Sequence, residues 1–197
     1  MLLLDTSQYP AEDRAELIRD GLSDLIGGMN VAPADGDALM QLRWRAWDMG
    51  DGCSLLHMHS TGFQLRRPPA RFSSAEPAII GFSVMPSGVC RFSQSDRHEI
   101  VPGGGMFIAE MGEAFTCQLP AGSEGADFMV PLDVLDIPLR DVRKAAQWLP
   151  RSPLYGLACQ HLLSLTQYTK EFDVPHPSAQ QAALHMLRAL VKSFGTD

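Results

Sequence analysis

Hydrophobic and polar positions follow two different periods along the chain, and the changes of period divide it into three parts. Between Pro10 and Ile26 the apolar positions recur at helical spacing, opposite a row of acidic residues. Between Leu39 and Val134 they recur at every second position, which is typical of strands. After Pro138 the helical period returns. The sequence therefore predicts a helix, a β-domain and a second helical region, in that order.

The period-two region predicts about eight short strands. Its first segment has Met40, Leu42, Trp44 and Ala46 at alternate positions. The stretch "PAIIGFSVMPSGVCRFSQ" predicts two strands around a Pro-Ser-Gly turn, and "SDRHEIVPGGGMFIAE" predicts two more around a Gly-rich turn. "EAFTCQLP" and "GADFMVPL" add further strands. Short strands at this spacing are typical of a sandwich or a small barrel.

The last part of the chain predicts three helices. One follows Pro138, and the two longer ones flank a short loop that contains two prolines. A loop of this length predicts that the two longer helices pack as an antiparallel hairpin. The expected fold class is α+β in one domain, with an N-terminal helix over 9–28, a barrel or sandwich over 38–135 and a helical region over 138–195.

Both helices of the predicted hairpin carry apolar residues on more than one side. A helix of this kind is either buried or lies at an interface. We therefore expect a homodimer built on these helices. The candidate dimerisation residues are Leu154, Leu157, His161, Leu162 and Leu165 on the first helix, and Leu184, Leu187 and Val191 on the second.

The composition argues against several classes of protein. No apolar run approaches the ~20 residues that a membrane helix needs, and the N-terminus lacks the basic flank of a signal peptide. We therefore expect a cytoplasmic protein with no membrane partner. The four cysteines form no Cys-x-x-Cys pair, which argues against structural zinc, and we expect no cofactor. A net charge of -7 disfavours a nucleic-acid surface on this chain.

His57 and His59 form a His-x-His pair in a predicted strand, a pattern typical of metal-dependent cupin barrels. Such a site takes a further histidine from a second hairpin after a Pro-x-Gly turn, and three or four ligands hold the metal. Here the turn is Pro102–Gly104, and Phe107 occupies the position of that histidine. Because two imidazoles alone hold a metal poorly, we expect no metal site.

The sequence leaves the direction of the two histidine side chains open. In a regular strand they share a face with Phe63 and Leu65 and point into the barrel. A bulge at Gly62 reverses the register, so that Leu56 and Met58 lie inside and the histidines lie in solvent. The strand pattern is compatible with both arrangements.

Residues on the predicted inward faces are candidates for lining a ligand pocket. An inward arginine needs a counter-charge, which a carboxylate on an effector could supply. The alternative is that these side chains simply fill the barrel or lie in solvent. The candidate ligand-binding residues are Trp44, His57, His59, Arg67, Phe82, Phe92 and Phe107.

Nine residues in "RRPPARF", "SGVCRFSQSDRHEIVPGGGMFIAEMGEAF" and "DFMVPLDVL" carry a resemblance to a known family. In their order and spacing the chain resembles the ligand-binding-like domain of the AraC/XylS family of bacterial transcriptional regulators. Gly104 stands where that family usually has aspartate, which removes a turn-stabilising carboxylate. The nine residues are Arg67, Gly88, Gln94, Arg97, Pro102, Gly103, Glu110, Pro131 and Leu135.

The resemblance implies a cupin-like barrel that senses a small-molecule effector, a helical hairpin that dimerises, and a C-terminal helix-turn-helix domain that binds promoter DNA. No basic recognition helix occurs before Asp197. We therefore expect this chain to be the non-enzymatic regulatory part of a longer regulator, which meets DNA only through that missing domain. Two alternatives stay open: a cupin-type metalloenzyme, which Phe107 disfavours, and a ligand-free dimerisation domain.

Overall fold

A computed structural model describes residues 2–26, 28–33, 40–60, 62–68, 78–172 and 177–194, without the side chains of residues 2, 3 and 23–26. The expected domain boundaries at residues 38 and 195 fall outside these ranges. The eleven strands found there are β1 (Leu2–Asp5), β2 (Asn30–Pro33), β3 (Leu42–Gly50), β4 (Cys53–Ser60), β5 (Phe63–Arg67), β6 (Ile79–Ser87), β7 (Val89–Gln94), β8 (Arg97–Pro102), β9 (Met106–Glu110), β10 (Phe115–Leu119) and β11 (Ser123–Pro131).

The strands form two antiparallel sheets that pack face to face as a cupin-like sandwich. The six-stranded sheet has the order β1-β3-β4-β11-β6-β9, and the five-stranded sheet has the order β2-β5-β10-β7-β8. The strands predicted around the Pro-Ser-Gly turn (β6 and β7) and around the Gly-rich turn (β8 and β9) are confirmed, as are β10 and β11. The two strands on either side of each of these turns lie in different sheets. The expected fold class is therefore correct.

Two strands were not expected from the sequence. β1 precedes the first helix, and β2 lies where the pattern predicted a loop. Both are edge strands, one in each sheet. An edge strand has one unpaired side and tolerates proline and polar residues, so neither segment needs strong hydrophobic alternation.

Two hydrophobic clusters lie on the two sides of the six-stranded sheet. The inner cluster fills the space between the sheets and includes Leu56 from one sheet and Phe92 from the other. The outer cluster joins the alternate residues of the same strands, such as Leu55 and Phe82, to the C-terminal helices. Because the helices cover the outer face of β6, β9 and β11, these strands are largely buried on both sides.

The helices cap and cover the sandwich. They are α1 (Arg14–Ile26), α2 (Leu132–Leu135), α3 (Leu139–Trp148), α4 (Tyr155–Phe172) and α5 (Pro177–Lys192). α1 begins four residues later than predicted and adds Ile18 and Leu22 to the inner cluster. The Oγ atoms of Ser152, just before α4, and Ser193, just after α5, lie 2.7 Å apart, as expected for an antiparallel hairpin. Within the described residues, no helix is long and apolar enough to cross a membrane.

Arg97, one of the two arginines among the nine residues of the resemblance, links the two sheets and a helix by hydrogen bonds. Arg97 of β8 donates to the backbone oxygens of Ile108 in β9 (2.7 Å) and Ala146 in α3 (3.4 Å). It also donates to the side chains of Gln94 and Glu99. Burial lowers the pKa of Arg97, although the nearby carboxylates oppose this shift. The position of Arg97 is therefore explained by the fold alone.

Candidate functional site

The two histidines lie on the outer face of the six-stranded sheet. Leu56 and Met58 belong to the inner cluster, whereas His57 and His59 alternate with them and face away from it. β4 ends at Ser60, and Gly62, with a φ of +114°, precedes β5. The reversal of register at Gly62 is therefore correct, and the inward placement of the histidines is wrong. The expected exposure to solvent holds for His59 but not for His57, which is buried.

This placement separates the elements of a cupin metal site. Phe107 points into the inner cluster, while the two histidines lie across the sheet from it. No group of three or more His, Cys, Asp or Glu side chains among the described residues is placed to hold a metal ion. The residues at these positions therefore do not form the ligand set of a catalytic cupin metal site.

The barrel interior holds a small cavity between the two sheets. Its volume is about 40 Å³, which is enough for one or two water molecules. Phe92 and Phe107 line it, with their ring centroids 4.4 Å apart. Three methionines also line the cavity, namely Met58, Met111 and Met129. Because methionine side chains are flexible and polarisable, the cavity can change its shape more readily than one lined by branched residues.

Asp127 supplies the acidic group of this cavity, and sequence reasoning missed it. It lies in β11 directly opposite Ser83 of β6, whose hydroxyl donates a hydrogen bond to its carboxylate. Asp127 is half-buried and lines the cavity. Burial raises the pKa of Asp127 to about 6, against the lowering effect of Ser83. The sequence carried no clear signal for it, because Asp127 alternates with Phe128 and only the structure shows that Phe128 faces the helices.

The other candidates from the sequence separate into two groups. Trp44 lies in the inner cluster, and its indole Nε1 has no hydrogen-bond partner among the described residues. Arg67 shares the inward face of β5 with Phe63 and Leu65 and is buried. The predicted place of Phe82 in a barrel pocket is wrong, because Phe82 faces the C-terminal helices on the outer side of the sheet. Its strand alternates as predicted, but the aromatic face is the outer one.

His57 lies between a sheet and a helix. Its Nε2 is 3.4 Å from the ammonium Nζ of Lys170 in α4 and 3.7 Å from the carboxylate Oε1 of Glu124 in β11. Burial, and then the charge of Lys170, lowers the pKa of His57 to about 4, against the effect of Glu124. The imidazole is therefore neutral at pH 7. His59, two residues on, is exposed.

Most of the expected dimerisation residues are covered by their own chain. At most of these positions the side chains of α4 and α5 pack in the outer cluster with the sheet, with α3 and with each other. Leu154 is partly buried in the same cluster, whereas Leu157 is 55% exposed. The residues that are at most 5% exposed, and so lie off the surface, are Leu162, Leu165, Leu184, Leu187 and Val191.

A row of residues on α4 that includes two of the expected dimerisation residues, Leu157 and His161, lies on the side away from the core. Its members stand three or four residues apart and occupy one side of the helix. The rings of its last two aromatic members have centroids 4.8 Å apart, and a groove of about 400 Å³ runs between this row and the start of α5. We name it the α4 stripe: Leu157, His161, Ser164, Tyr168 and Phe172.

Comparison with known proteins identifies the fold. No protein-family model and no curated protein matches the sequence. Among solved structures, the AraC-like transcriptional activator CuxR is similar with a TM-score of 0.77 at 14% identity, over 96% of this chain and 69% of CuxR. The two chains share a fold. The resemblance read from the sequence is thus confirmed at the level of the structure.

Other solved structures match about half of the chain. KdgF from Halomonas sp. matches with a TM-score of 0.33 at 9% identity, over 46% of this chain and 78% of that chain. The cupin domain of an XRE family transcriptional regulator from Enterobacter cloacae matches with a TM-score of 0.30 at 10% identity, over 51% of this chain and 94% of that chain. Scores of this size carry no argument about function.

Proposed function

We propose that this chain is the effector-sensing and dimerising domain of an AraC-like transcriptional regulator. The observation that carries the proposal is the shared fold with CuxR across almost the whole chain, helices included. In the proposal, the barrel binds a small organic effector and the helices hold two copies together. Promoter DNA is contacted by a helix-turn-helix domain that is not part of this chain.

The composition of the cavity supports an effector with a mostly apolar body and one polar group. The lining is apolar except for the Asp127–Ser83 pair, with Arg67 on the inward face of the neighbouring strand pair. At about 40 Å³ the cavity is far smaller than the ~300 Å³ of a typical ligand pocket. An effector therefore enters only if side chains such as Met58 and Met111 move aside.

The small cavity also favours a second candidate, a dimerisation domain without a ligand. A sensing domain requires the barrel interior to open for an effector, whereas a ligand-free dimerisation domain does not. A thermal-shift screen of small organic acids, amines and aromatic metabolites separates them, since a ligand at 100 times its Kd stabilises a protein by about 2.7 kcal/mol. A specific hit supports the sensing domain.

A matched pair of variants locates the binding site of any such hit. Ala109→Met adds volume at the cavity wall and should abolish the thermal shift. Ala189→Met makes the same change on the exposed surface of α5 and should leave the shift unchanged. Absence of hits in a broad library, or equal loss in both variants, argues for the ligand-free domain.

The surface charge supports the assignment of DNA binding to a different domain. The chain has 16 basic and 23 acidic residues, so phosphate neutralisation is weak and easily screened by salt. In a fluorescence-anisotropy titration, residues 1–197 should show no sequence-specific binding to promoter fragments at physiological salt. Specific binding by this chain alone would contradict the proposed division of roles.

A further inference from the structure

We propose that a groove on the outer face of the six-stranded sheet binds a phosphate group, either free or as a monoester. The groove has a volume of about 300 Å³ and lies between the strands and the last turns of α4. Its polar lining, which we call the basic groove, consists of Arg43, Arg45, His57, His59, Glu124 and Lys170. It is separate from the barrel interior, so this proposal does not depend on effector binding there.

The antiparallel pairing of two strands brings the basic groups together. Arg45 lies opposite His57, and Arg43 lies opposite His59, all on the outer face. Directly opposed residues on one face of an antiparallel pair have Cβ atoms about 5 Å apart. Lys170 reaches the same place from α4, with its Nζ 3.4 Å from the Nε2 of His57. Cationic groups therefore approach the groove from a sheet and from a helix.

Among the described residues that line it, the basic groove carries more positive than negative charge. Arg45 makes no hydrogen bond or ion pair with any described residue, and Lys170 contacts the imidazole of His57. Arg43 lies 3.7 Å from the carboxylate of Asp5, which is not part of the groove lining. Such concentrated positive charge is unexpected on a chain whose net charge is -7.

Among the described residues, Glu124 is the one acidic side chain that lines the groove. Its two oxygens are directed to neutral groups, since Oε1 lies 3.7 Å from His57 and Oε2 accepts a hydrogen bond from Ser87 at 3.4 Å. Two arginines and one lysine against one carboxylate leave a charge of +2 in the described lining, before the two imidazoles are counted. A phosphate dianion matches this charge, and a guanidinium and an ammonium are the groups that bind phosphate oxygens best.

The direct test is titration of the purified protein with inorganic phosphate and with glycerol phosphate, at pH 7.5 and constant ionic strength. Saturable binding of either is expected by calorimetry. Arg45→Gln and Lys170→Gln should each weaken binding about tenfold, as expected for loss of a charge-assisted hydrogen bond. Arg91→Gln removes the same charge from an exposed position on the other sheet, and its affinity should stay within twofold.

A variant that is expected to bind phosphate more tightly separates the loss of the site from the loss of the fold. Glu124→Gln removes the opposing charge and should tighten phosphate binding severalfold, a result that a damaged fold does not produce. Similar affinities for the two probes indicate that free phosphate suffices, and much tighter binding of the ester indicates a phosphorylated ligand. Either supports the site. No saturable binding of both probes, equal loss in Arg91→Gln, or weaker binding in Glu124→Gln would overturn the proposal.

Discussion

Asp127 and Ser83 face each other across β11 and β6 inside the barrel, and their hydrogen bond joins two polar side chains in an otherwise apolar cavity wall. The serine is neutral and offers one hydroxyl donor. It therefore compensates only part of the cost of removing the carboxylate from water, and the pKa of Asp127 stays raised, at about 6. A buried carboxylate of this kind makes the stability of the domain depend on pH.

We predict that Asp127→Asn stabilises the domain at pH 7.5. The folded-state pKa is raised from 3.8 to about 6, so wild-type stability is fully present below pH 3.8 and falls as the pH rises through 6. The difference between the two pKa values corresponds to a change of about 3 kcal/mol at most in the free energy of unfolding, at ~1.36 kcal/mol per pKa unit. Denaturant unfolding should show a gain of this order at pH 7.5 that shrinks towards pH 4. Asp96→Asn, at an exposed position, should show no such trend.

We predict the opposite pH dependence for His57. Its folded-state pKa is lowered from 6.5 to about 4, so the unfolded chain binds a proton that the folded chain does not, and stability falls between pH 6.5 and pH 4. The total change in the free energy of unfolding is again about 3 kcal/mol. His57→Gln should flatten this part of the curve, whereas the exposed His185→Gln should not. An unchanged slope in His57→Gln would show that the imidazole protonates normally in the folded state.

The order of strands and helices could be predicted because alternation and turn residues are local signals. Phe115, Cys117 and Leu119 share the inner face as the period-two pattern indicates. Which face is the inner one is not a local property. In β6 both faces are mostly apolar, so alternation alone assigned Phe82 to the barrel when it packs against helices.

The candidate site was harder to predict than the fold, for the same reason. Asp127 reads as a solvent-facing residue of a one-sided strand until the helices are known to cover the other side. The basic groove joins residues from β3, β4 and α4, and Lys170 is more than a hundred positions from His57. Spacing along the chain carries no signal for such a contact. Gly62 was the exception, because a glycine inside a strand pattern indicates a bulge or break.

We predict that the hydrogen bonds of Arg97 stabilise the fold strongly. Arg97→Met leaves the carbonyl groups of Ile108 and Ala146 without their donor in a mostly buried place. A loss of about 3 kcal/mol is expected in denaturant unfolding. Arg97→Lys should recover only part of this, because an ammonium cannot reproduce the fork of a guanidinium. Arg140→Met, at a side chain that is 85% exposed, is the control. A loss below about 0.5 kcal/mol in Arg97→Met would contradict a structural role.

The α4 stripe is the surface on which we expect two copies to meet. Leu157 and Phe172 are more than half exposed, which is unfavourable for apolar side chains of this size. The Nε2 of His161 is buried and has no hydrogen-bond partner among the described residues, although buried polar atoms usually have one. A partner copy would cover the apolar side chains and bring polar groups close to His161.

Sedimentation velocity at micromolar concentration should therefore show a dimer for the wild-type chain. Leu157→Glu and Phe172→Glu place charges on the stripe and should raise the dimer dissociation constant at least ~100-fold, about 2.7 kcal/mol. The circular dichroism spectrum should not change, because neither side chain is part of the buried core. Ile100→Glu alters an apolar residue of β8 that is 73% exposed and should leave the dimer intact. A monomeric wild type, or equal dissociation of the Ile100 variant, would show that the α4 stripe is not the interface.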